Sequence, residues 1–107
     1  MVEIIIYGAG KIGLKLKDKL LNNSSINVLG FLDSYKKNDC KVCVLDIDEV
    51  EKETPIVISV LNTSSIINIY NKLKEKQFKN IYWYYDMNKA EYDSENFLEE
   101  ECFHFPD

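Results

Sequence analysis

The sequence predicts an α/β domain built on a doubly wound parallel sheet, and three stretches predict it. Residues 3–21, EIIIYGAGKIGLKLKDKLL, run from a β-branched segment through a glycine turn into an amphipathic stripe. Residues 26–33, INVLGFLD, read as a second strand ending in an acid twenty residues beyond Gly13. Residues 55–62, PIVISVLN, hold a near-continuous apolar run between Pro55 and Asn62, the pattern of a central parallel strand buried on both faces.

The first stretch carries the chemistry. Ile4, Ile5 and Ile6 form the strand, and Gly8, Ala9, Gly10, Lys11, Ile12 and Gly13 form the turn. Ile12, Leu16 and Leu20 then recur every four residues along one helix face. In such a turn the first glycine permits a tight exit from the strand, the second lets a pyrophosphate approach the backbone, and the third lets the helix pack on the sheet. The helix N-terminus presents unpaired N–H groups and the positive end of its dipole to an anion. The competing reading is a turn that only packs. Asp33 favours the nucleotide reading, because a carboxylate there accepts hydrogen bonds from a ribose diol and disfavours a 2′-phosphate. Its own alternative is a solvated acid that starts the Asp33-Ser34 turn. Lys36 and Lys37 soften the preference for a free 2′-hydroxyl.

Along the rest of the chain, residues 42–45, VCVL, read as a short third strand. Asp46 caps a brief helix that ends before Pro55, with Glu49 reaching back. After the central strand, Asn62-Thr63-Ser64-Ser65 starts a helix with Ile66, Ile69, Tyr70 and Leu73 on one side. Residues 80–85, NIYWYY, form a last, aromatic edge strand. Alternating strands and helices give a parallel sheet covered on both faces, expected in the order 3-2-1-4-5. That order sets the crevice at the carboxyl ends of the first and fourth strands, between Gly8 and Asn62, so Asn62 to Ser65 face it as candidate contacts, with Asn62 foremost and ordinary N-capping by Thr63 or Ser64 the competing reading.

Composition narrows the function classes. With 107 residues the chain is one domain that buries roughly two-thirds of its unfolded surface. A net charge of −5 provides no global attraction to nucleic acid or an anionic membrane. All 13 basic residues are Lys, so anions must be held by backbone amides and point charges rather than by guanidinium forks. No basic-then-apolar leader opens the chain, no apolar run is long enough to span a bilayer, and three cysteines do not suggest a disulfide scaffold. The expected location is the cytoplasm. Charge is unevenly spread: residues 86–107 hold eight acids and one lysine, a net of −7 against +2 for the remainder. The expected organisation is therefore a folded unit over residues 1–86 and an acidic tail over 87–107, read as a solvated or partly helical appendage, with docking of Phe97, Leu98, Phe103 and Phe105 on the domain or on a partner as the alternative.

Other constellations are weaker. Cys40 and Cys43 have metal or redox spacing, and Cys102 with His104 would complete a zinc set, but side chains three apart in a strand point to opposite faces. Tyr70 with Lys74 and Tyr85 with Lys89 match the dehydrogenase Tyr/Lys spacing at about the frequency chance supplies. No residue is assigned a catalytic role, and no metal is expected.

Together, YGAGKIG, GFLD, VCVLDIDEV and PIVISVLN resemble the N-terminal Rossmann-like domain of bacterial surface-polysaccharide enzymes, among them sugar O-acyltransferases and nucleotide-sugar dehydratases. The resemblance covers roughly residues 2–86. It implies a nucleotide-sugar ligand, with Gly8, Gly10 and Gly13 along the diphosphate and Asp33 at ribose or base. Lys11-Ile12 stands where the acyltransferases usually have Gly-His, and neither an acyltransferase β-helix nor a dehydratase domain is present. The expectation is thus a stand-alone or truncated nucleotide-binding module of polysaccharide biosynthesis, acting as a subunit or accessory domain beside a catalytic unit. The rivals are an NAD(H)-binding domain of a split or truncated oxidoreductase and a protein-interaction module working through the Trp83 strand or the acidic tail.

Overall fold

The structure, a computed structural model, describes residues 1–35, 42–84 and 97–106. The β-branched run forms β1 (Val2–Tyr7), and the leucine stripe forms α1 (Lys11–Lys19). β2 (Ile26–Leu32) follows and pairs with β1 in parallel. A short 3-10 turn, Ile47–Glu49, begins where Asp46 accepts a hydrogen bond from Asp48 N–H at 2.9 Å. Then come β3 (Ile56–Ile58), α2 (Thr63–Glu75) and β4 (Ile81–Tyr84). A last turn of helix, α3 (Phe97–Glu101), leads into β5 (Cys102–His104).

Alternation along the strands sorts side chains onto two apolar layers. Ile4, Ile6, Phe31, Val57 and Tyr84 face α1 and α3, where Leu16, Leu20 and Phe97 cover them. Ile5, Tyr7, Ile56, Ile58 and Ile81 face α2 and meet Ile66, Ile69 and Leu73. Ile56, Val57 and Ile58 are wholly buried, as the unbroken apolar run requires of a strand covered on both sides. α2 ends in a Schellman turn: Gln77 takes φ 69°, its N–H reaches Lys74 O at 2.9 Å, and Phe78 N–H reaches Leu73 O at 3.0 Å. Phe78 is thereby folded back into the core.

The sheet order is β2-β1-β3-β4-β5, not the expected 3-2-1-4-5. Residues 42–45 supply only one bridge, Val44 beside Phe31, held by Phe31 N–H to Cys43 O and Leu45 N–H to Phe31 O, both 2.8 Å. Asp46 turns the chain immediately afterwards, so no ladder develops. At the other margin β5 pairs antiparallel with β4, placing His104 opposite Tyr82. β4 is therefore not an edge strand, and the indole of Trp83 points back to donate to Val60 O at 3.3 Å. The expected boundary between residues 86 and 87 lies outside the described residues. Residues 97–106, on its far side, join the sheet and core: Phe97, Leu98 and Cys102 are buried, and Tyr70 stacks on Phe105 with ring centroids 4.5 Å apart. Among the described residues no helix is long and apolar enough to cross a membrane.

Candidate functional site

Because β1 and β3 are parallel neighbours, both chain exits lie at the same end of the sheet. The turn into α1 and the segment leading to α2 therefore face each other across a crevice. The glycine turn is fixed from three sides. Gly8 N–H donates to Leu32 O at 2.7 Å, and the buried Ser59 hydroxyl donates to the carbonyls of Tyr7 and Gly8 at 3.2 and 3.3 Å. Ala9 N–H donates to Asp33 Oδ2 at 2.7 Å.

The three glycines differ in what they do. Gly8 sits at φ 117°, a conformation that strongly favours glycine. A Cβ at Gly13 would collide with the Gly8 carbonyl, so helix and turn touch backbone to backbone there. Neither constraint applies to Gly10. Its φ is −84°, and a Cβ would meet nothing within 4 Å among the described residues. Gly10 is the N-cap of α1 and no side chain caps the helix. The first bond into the helix, Leu14 N–H to Gly10 O at 3.0 Å, leaves the amides of Lys11, Ile12 and Gly13 in the uncapped first turn. Lys11 is exposed beside them, while Ile12 is half-buried at the start of the apolar stripe.

Asp33 ends β2 with both carboxylate oxygens engaged, Oδ2 by Ala9 N–H and Oδ1 by Tyr35 N–H at 2.8 Å. The turn that the alternative reading expected is thus present. Next to it Tyr7 Oη lies 2.8 Å from Ser34 Oγ and accepts from Lys72 Nζ at 3.3 Å. These groups border a cavity of about 180 Å³ on the α2 side of the crevice, lined also by Tyr35, Val60, Ser65 and Asn68. Asn62, expected at this crevice, is exposed and uses Oδ1 to cap α2 through Ser65 N–H at 3.1 Å. Ser65 and Asn68, three residues apart on α2, line the cavity instead. The i, i+3 polar pair flanking Ile66 and Ile69 was the available signal for Asn68.

Among the described residues the remaining constellations do not assemble. Cys43 lies beyond β2 and Cys102 in β5 at the far margin, roughly 20 Å or more apart at the usual strand spacing. Among the described residues no three His, Cys, Asp or Glu side chains converge on a metal position. Cys40, Lys36, Lys37, Tyr85 and Lys89 lie outside the described residues. Burial, with Glu101 adding to it, pushes the Cys102 thiol up to about 12, which makes it inert. A larger groove of about 750 Å³ runs past this thiol, Tyr82, Trp83 and His104. Tyr70 is spent on the C-terminal segment, its hydroxyl donating to Pro106 O at 3.3 Å.

Neither a family model, nor a curated protein sequence, nor a solved structure matches the chain.

Proposed function

We propose that the chain is a nucleotide-binding module, with a nucleotide-sugar as its ligand and surface-polysaccharide synthesis as its setting. In this reading the diphosphate lies over Gly10 and accepts hydrogen bonds from the first-turn amides of α1. Lys11 adds a point charge. The ribose lies beside Asp33, and the adjoining cavity takes a ring bordered by Tyr35, Ser65 and Asn68. A cavity of about 180 Å³ is smaller than the ~300 Å³ and above usual for a complete ligand, so the diphosphate and sugar lie in the open crevice. The chain supplies no catalytic group in this reading, and a separate subunit or domain performs the reaction.

One observation carries the proposal. Gly8 and Gly13 are glycines because the protein's own backbone demands it, whereas nothing among the described residues occupies the space beside Gly10. That space adjoins an uncapped helix N-terminus. A thermal-shift panel of UDP- and GDP-sugars, NAD(H), NADP(H) and coenzyme A tests the reading. A ligand present at a hundred times its Kd adds about 2.7 kcal/mol, which raises Tm by roughly ten degrees or more in a domain of this size. Gly10→Val should fold and lose that shift. Stabilisation by NAD(H) alone would move the assignment to the split-oxidoreductase reading. No shift with any compound would leave the interaction module.

A further inference from the structure

Tyr7 and Ser34 both line the crevice cavity, and their hydroxyl oxygens lie 2.8 Å apart. Tyr7 ends β1 with its ring buried in the apolar layer under α2. It pairs with Leu32 at the end of β2, which brings Ser34 alongside. The third member comes from α2. Ser65, Asn68 and Lys72 stand at i, i+3 and i+7 and so share one helix face. Lys72 Nζ donates to Tyr7 Oη at 3.3 Å and sits 5.9 Å from the centre of its ring.

The hydrogens of this chain do not balance. An ammonium only donates, so the phenol oxygen accepts from Lys72. Between Tyr7 and Ser34 either hydroxyl can be the donor, and one O–H hydrogen fills that bond. The other is left over whichever way the bond runs, and among the described residues neither hydroxyl has a further partner to take it. Both oxygens border the cavity, so the spare hydrogen is offered there, on a chain polarised by the lysine charge. It calls for an acceptor on the entering ring. The Asp33 carboxylate lines the same cavity and repels an anion, so the acceptor is neutral. A ring carbonyl meets both conditions. An exocyclic amine must compete for a hydroxyl lone pair and leaves the spare O–H unbonded, which costs affinity.

We propose that the Lys72–Tyr7–Ser34 chain makes the cavity selective for a keto-bearing base, uracil or guanine, over an amino-bearing one, cytosine or adenine. The inference rests on the nucleotide reading of the crevice and adds base specificity to it.

Calorimetric titration of the full chain with UDP, CDP, GDP and ADP, which differ in the base alone, is the test. UDP should bind about tenfold tighter than CDP, or GDP than ADP, and the tighter keto nucleotide identifies the base. Ser34→Ala, at an exposed position, and Tyr7→Phe, which keeps the buried ring, should each bring that ratio to within about twofold. Lys72→Met, which frees the phenol oxygen to accept, should lower it less. A merely structural effect would weaken both members of a pair alike and leave their ratio unchanged. Equal affinities within both pairs, or a ratio unmoved in Ser34→Ala and Tyr7→Phe, would overturn the specificity and leave the nucleotide reading standing. Binding of none of the four diphosphates would overturn the nucleotide reading, and this inference with it.

Discussion

Ala9 N–H donates to Asp33 Oδ2 at 2.7 Å, tying the glycine turn after β1 to the acid at the end of β2. The carboxylate is therefore structural before any ligand arrives, and its removal should be felt in the free protein. Asp33→Ala should lower stability by about 1–3 kcal/mol, because a buried amide loses a charged acceptor. Asp33→Asn, which retains an oxygen at that place, should cost less. Urea denaturation of both variants measures the difference, and equal values would mean that the bond is not formed.

The three glycines of the turn should separate by mechanism. Gly13→Ala drives a methyl into the Gly8 carbonyl and should destabilise by more than about 3 kcal/mol or prevent folding. Gly10→Ala has open space and an ordinary φ, so its cost should stay within about 1 kcal/mol. Thermal melts of the two variants give the comparison directly.

Gln77 holds φ 69° at the end of α2, a conformation in which glycine carries no Cβ penalty. Gln77→Gly should raise stability by about 0.5–1 kcal/mol, read as a higher urea midpoint at unchanged slope.

Alkali should destabilise the fold. Burial holds the Cys102 thiol at about 12 against an ordinary 9.0, and burial, with Glu99 and Cys102 nearby, keeps the Tyr82 phenol above its ordinary 10.0. Both groups keep their protons longer in the native state than in the unfolded one. Stability is thus full below pH 9 and falls as pH rises from 9 toward 12, by up to about 1.4 kcal/mol per unit from the thiol. Cys102→Ala should flatten this slope in a pH series of denaturation curves. In a Cys40→Ser background, exposed Cys43 should react with a disulfide reagent at pH 8 while Cys102 does not.

Residues 97–106 should prove part of the folding unit. Phe97 is fully buried against Tyr84, with ring centroids 6.5 Å apart, so Phe97→Ala should cost about 3–5 kcal/mol. A chain ended at residue 86 should lose cooperative unfolding in calorimetry, because Tyr84 and the β4 edge lose their cover.

Local pattern determined much of this protein. The apolar runs at Ile4–Ile6 and Ile56–Ile58, and the stripes through Leu16, Leu20, Ile66, Ile69 and Leu73, each announce an element because burial selects side chains at that element's own period. The glycine turn was legible for the same reason: its demands on Gly8 and Gly13 arise within a few residues of the chain. Tertiary structure alone decided what depends on partners distant in sequence. Residues 42–45 carry a strand's composition yet make one bridge, because Asp46 bends the chain away before a second can form. Residues 102–104 carry little strand signal yet close the sheet, because β4 offers them a free ladder and Phe97 anchors the approach. The bonds from Asp33 to Ala9 and from Lys72 to Tyr7 join residues 24 and 65 positions apart, and only the packed sheet brings such pairs within reach.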